Sequence, residues 1–141
     1  MKKFSFSMEK ILDIRTFEKK QAESELSMAM MKEREIQAQI DSLTEKRALC
    51  VIDAEKSTDF SVIVNSQKYL KFIEKKTEEL SLELAQAQIV SEEKRGALKE
   101  CIKKQKALEK LKEKKYEEWK KEIKKEEQKE MDEILNVLIR H

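Results

Sequence analysis

The twelve residues Glu55–Ser66, EKSTDFSVIVNS, interrupt an otherwise continuous helical pattern. Ser57, Thr58 and Asp59 carry short side-chain oxygens that compete for nearby backbone N–H groups. Such residues are poor in a helix interior and good at a helix start. The chain has no proline and a single glycine, so the usual breakers and turn formers are missing on both sides. The stretch reads as a reversal centred near Thr58, with the turn at about 57–60.

Upstream of that turn, steps of alternating four and three select Met8, Leu12, Arg15, Lys19, Ala22, Leu26, Ala29, Glu33, Ile36, Ile40, Leu43, Arg47, Cys50 and Ala54. Ten of these 14 positions are apolar or thiol. This is a heptad seam, the signature of a helix that packs along a second helix. Downstream the seam resumes as Ile63, Ser66, Leu70, Ile73, Thr77, Leu80, Leu84, Ala87, Ser91, Lys94, Leu98, Cys101, Gln105 and Leu108. The fold class expected is all-α, two long helices in an antiparallel coiled-coil hairpin. The 141 residues form one domain, with helix 1 at about 8–56 and a longer helix 2 at about 61–140.

In an antiparallel pair, facing residues have numbers of constant sum. Ala54 with Ile63, Arg47 with Leu70, Ile40 with Thr77 and Glu33 with Leu84 all sum to 117, while Leu43 with Ile73, Ile36 with Leu80, Ala29 with Ala87 and Met8 with Leu108 sum to 116. The two stripes therefore meet if the chain reverses near Thr58. In this register Cys50 and Cys101 lie tens of ångströms apart at about 1.5 Å per residue, so no intrachain disulfide joins them.

Helix 1 then covers helix 2 to about Leu108, and roughly 30 residues, some 45 Å of helix, project beyond it. From Lys112 to Glu130, 15 of 19 residues are Lys or Glu. Pairs three or four apart, such as Glu117 with Lys120, support an isolated helix by about 0.2–0.5 kcal/mol each. One apolar stripe survives through Leu108, Lys112, Tyr116, Trp119, Ile123, Glu127, Met131, Ile134 and Leu138, and Ile134, Leu135, Leu138 and Ile139 form a terminal apolar patch. A narrow apolar line on an unsupported helix reads as a docking surface. The other reading folds Tyr116 and Trp119 onto residues 1–7, where Phe4 and Phe6 are available. The terminal MDEILNVLIRH reads as a partner-binding helix end or as a frayed terminus.

Charged residues make up 43% of the chain yet nearly cancel, at +2. That balance gives no strong pull toward nucleic acid or a membrane surface. Lys103, Lys104 and Lys106 form a basic cluster, but Glu interleaves elsewhere. No apolar run approaches the ~20 residues a membrane helix needs. The opening MKKFSFSMEKIL lacks the apolar core of a secretory signal, which points to a cytoplasmic chain with reduced cysteines. His141 is the only histidine and Gly96 the only glycine, so neither a catalytic triad, nor a zinc site, nor a phosphate-binding loop is available. No enzymatic activity and no cofactor are expected.

Three stretches carry a resemblance. FSFSMEKILDIRTFEKKQAE, Phe4–Glu23, is similar to the opening of the FliJ family of the flagellar type III export apparatus. YLKFIEKKTEEL, Tyr69–Leu80, resembles the segment following that family's turn, and QKEMDEI, Gln128–Ile134, its C-terminal acidic motif. The resemblance implies a non-enzymatic export component, a two-helix coiled coil similar to the central stalk subunit of rotary ATPases. Its implied partners are the export ATPase, the cytoplasmic domain of an FlhA-like export gate and substrate chaperones. It implies no nucleic acid, no direct membrane insertion, and a cytoplasmic position peripheral to the inner membrane at the flagellar base. The free helix ends would enter the ATPase ring. Phe72 falls on the family's gate-binding aromatic, with Tyr69 beside it. Lys76, Glu79 and Glu83 are charged where the family pattern can be apolar or small. The competing readings are a stalk-like subunit of a rotary ATPase or virulence-type secretion system, separated by gene neighbourhood, and a generic structural coiled-coil dimer, separated by mass in solution.

Overall fold

The computed structural model describes residues 3–140. Helix α1 spans Glu9–Lys56 and helix α2 spans Phe60–Arg140. No strand occurs among the described residues, and the two helices pack against each other as a helical hairpin.

The reversal is built from caps. The Asp59 carboxylate accepts from the Ser61 backbone N–H at 3.0 Å and from the Ser61 hydroxyl at 3.0 Å. It thereby satisfies one of the donors that a new helix leaves unpaired. The Ser57 hydroxyl oxygen in turn accepts from the Asp59 N–H at 3.2 Å, and the Asp59 carbonyl begins the α2 ladder by accepting from Ile63 N–H at 3.2 Å. Three short polar side chains thus do what a glycine does in many other turns.

The molecule divides into two compact units, residues 22–98 and residues 1–21 with 99–141. In the first, Ile36, Leu80 and Ala87 form a buried cluster, with Ile40, Leu43 and Leu84 packed against it. Ile73 is the largest apolar side chain that is fully enclosed, at 1% exposure. The Cys50 thiol reaches the Ser66 carbonyl at 3.8 Å, a pair whose numbers sum to 116. Glu25 and Lys94 form an ion pair at 3.1 Å, with a sum of 119. A higher sum is expected for long side chains, because each leans toward the N-terminus of its own helix before meeting its partner. Arg47, expected on the seam, is exposed. Its long stem lets the guanidinium leave the interface for water.

In the second unit, Leu12 and Gln105 are buried. Gln105 does not enter the seam unpaired, since its amide donates to the Thr16 hydroxyl at 3.1 Å and that hydroxyl donates to the Leu12 carbonyl at 2.9 Å. Glu9 meets Lys112 at 2.9 Å. Both inter-helix pairs have numbers that sum to 121.

Candidate partner-binding surfaces

The expected end of coverage at Leu108 is corrected by residues 3–7. They are not helical and run from the start of α1 along α2, where Phe4 meets two candidate residues. Its ring stands edge-on to Tyr116 at 5.2 Å and 74°, and tilted against Trp119 at 5.9 Å and 55°. Tyr116 and Trp119 stack on each other at 5.7 Å, and the Lys120 ammonium lies 4.8 Å from the Tyr116 ring centre. Of the two readings of Trp119, the structure therefore shows the one in which it folds onto the N-terminal residues. Trp119 and Ile123 are half-buried.

Past Ile123 the helix continues with every residue of 124–140 exposed. That is about 25 Å of helix. Lys120 pairs with Glu117 at 3.9 Å and Lys115 with Glu118 at 3.6 Å, part of the local support the sequence promised. The remaining candidates stand in water: Met131 at 60% exposure, Ile134 at 57%, Leu135 at 50% and Leu138 at 67%. Ile139, the fourth member of the terminal apolar patch, is exposed as well, and so is Val137, the one neighbour the sequence reading missed. At 100° per residue the six side chains spread over an arc of roughly 200°. Asp132, Glu133, Asn136 and Arg140 take the rest. A single helix alongside would cover a narrow stripe, whereas an arc this wide fits a concave apolar receptor that grips the helix end.

The second candidate surface lies within residues 22–98. Tyr69 and Phe72 stack at 6.4 Å and 22°, and Phe72 is 60% exposed. Phe72 borders a shallow groove whose α1 wall is Ala38, Ser42 and Leu43 flanked by Glu35, Gln39 and Lys46. The sequence reading named only the α2 side. The available signal was the small size of Ala38 and Ser42, which leaves room beside the aromatic.

Cys50 and Cys101 are free, half-buried thiols. Among the described residues no cluster has the makings of a metal site, and no helix is long and apolar enough to cross a membrane. Compared with models of known protein families, the chain matches the one described as flagellar FliJ protein, over residues 4–141. No curated protein and no solved structure matches it.

Proposed function

The chain belongs to the flagellar FliJ family and is a component of the flagellar export apparatus, and from that premise we propose that its exposed tail docks on the export ATPase. The observation that carries this reading is the tail itself. Five aliphatic side chains and a methionine stand at 50–80% exposure on the last turns of α2. Burying three of them fully would contribute on the order of 1.5–3 kcal/mol each, which favours a partner strongly over solvent. The wide arc favours an enclosing receptor such as the ring of an ATPase, and Tyr116, Trp119 and Ile123 extend the same stripe toward the hairpin.

Proteins of this family are non-catalytic, and this chain acts by contact. The aromatic pair Tyr69 and Phe72 presents a separate surface for the cytoplasmic domain of an FlhA-like export gate, with substrate chaperones as further partners of the hairpin. With these partners the protein would work in the cytoplasm, peripheral to the inner membrane at the flagellar base.

The test is ATP turnover by the cognate export ATPase, with the intact chain and with a variant carrying Ile134→Asp, Leu135→Asp and Leu138→Asp. The intact chain raises turnover. The variant needs at least about a hundredfold more protein for the same effect, given the burial it forfeits, while its circular dichroism stays helical. Full stimulation by the variant at wild-type concentrations rejects the tail as the docking surface.

A further inference from the structure

Residues 3–7 alternate strictly: Lys3, Ser5 and Ser7 are exposed, Phe4 and Phe6 half-buried. That is the pattern of a segment lying with one edge on a helix, extended as far as Phe6, whose carbonyl accepts from the Glu9 N–H at 3.1 Å in the turn into α1. The rings of Phe4, Tyr116 and Trp119 tie it to α2, and Phe6 lines the same hollow beside Trp119. The seat is loose. Tyr116 stays 37% exposed beneath it, and open space remains between the segment and Lys115, Glu118, Trp119 and Glu122. Closing the segment orders the backbone of five residues, a cost that offsets much of what the two half-buried rings, Phe4 and Phe6, contribute. The two rings it covers belong to the same stripe as the exposed tail.

We propose that residues 3–7 form a releasable strap, closed over Tyr116 and Trp119 in the free chain and displaced when the stripe is taken by a partner. The partner half of this inference rests on the tail-docking reading; the strap's own opening does not. A closed strap lowers the fraction of chain competent to dock along the full stripe, and apparent affinity falls by that fraction. The strap thus sets a threshold, since a partner that grips only the terminal turns leaves Phe4 in place, and one that follows the stripe back to Trp119 must expel it.

Trp119 is the only tryptophan in the chain, so 5-fluorotryptophan labelling gives a single fluorine reporter. In the free protein the wild-type fluorine line is broadened by exchange and moves on warming toward the position found for Phe4→Ala. Phe4→Leu, which keeps an apolar anchor, falls between them. A wild-type line that stays sharp and unmoved, or one that coincides with that of Phe4→Ala, overturns the strap. With unlabelled export ATPase added, the wild-type and Phe4→Ala lines converge, because Phe4 has left Trp119 in both, and Phe4→Ala binds about threefold to tenfold more tightly. Lines that keep their free separation in the complex, or an affinity that is equal or weaker in Phe4→Ala, also overturn it. If the ATPase binds neither protein, the docking reading falls, and the free-protein lines alone decide the strap.

Discussion

Replacing Ile73 by alanine tests the seam on which the hairpin depends. Ile73 is 1% exposed and lies within residues 22–98, on the stripe that also carries the buried Leu80 and Ala87. The substitution removes three carbons, each worth about 0.8 kcal/mol of transfer free energy, or roughly 2.4 kcal/mol in total. A cavity adds to that loss in a closed core, where Ile→Ala changes cost about 2–5 kcal/mol. Two helices form no closed core, so neighbours and water relax into the gap and the cost sits at the low end, about 2.5 kcal/mol. Urea unfolding followed by circular dichroism, under reductant to keep Cys50 and Cys101 from cross-linking copies, reads the change. With a slope of about 1–2 kcal/mol per molar, the midpoint falls by more than about 1 M. Leu82, 71% exposed on the same helix, supplies the control, and Leu82→Ala shifts stability by less than about 0.5 kcal/mol. If the two alanine variants unfold at the same urea concentration, Ile73 is not held in an inter-helix seam and the register of the hairpin is wrong.

Other substitutions read the local devices. A methyl group added at Gly96 would meet nothing within 4 Å, and Gly96 lies inside α2. Gly96→Ala therefore raises stability by about 0.5–1 kcal/mol through helix propensity alone, seen as a higher urea midpoint. Asp59→Ala removes the acceptor for the Ser61 N–H and costs about 1 kcal/mol, with faster amide hydrogen exchange at Ser61 and neighbouring residues of the first turn of α2.

The seam was legible because a heptad demands only apolar spacing. Burial follows that spacing closely: Leu12, Ala22, Ile36, Ile73, Leu80, Ala87, Ser91 and Gln105, the most buried of the described residues, all stand on the two stripes read from sequence. Ser91 and Gln105 show that the period, and not the chemistry of each residue, decides which positions face inward. Gln105 is answered by Thr16, and the Ser91 hydroxyl, fully enclosed, has no hydrogen-bond partner. Arg47 is the exception on α1, since a long cationic side chain is free to swing out of a two-helix interface. The turn was legible for a different reason, the run of three capping side chains at 57–59.

The fate of Trp119 was not legible, because the competing arrangements use the same rings. A segment without helical period leaves no spacing to read, and Phe4 contacts residues far along the chain. Geometry does separate the two halves of the tail stripe. The strap starts beside Glu9, which sits against Lys112. Five extended residues reach at most about 17 Å, and at 1.5 Å per residue that is about eleven residues of α2, as far as Ile123. Ile134 lies roughly 33 Å beyond Lys112 on the same measure, past the seven Lys, Glu and Gln residues of 124–130. Residues 3–7 can therefore cover Tyr116 and Trp119 and cannot cover Ile134, Leu135 or Leu138. The charged spacer divides one apolar stripe into a part that residues 3–7 shield and a part beyond their reach, and the tail's exposure follows from that division.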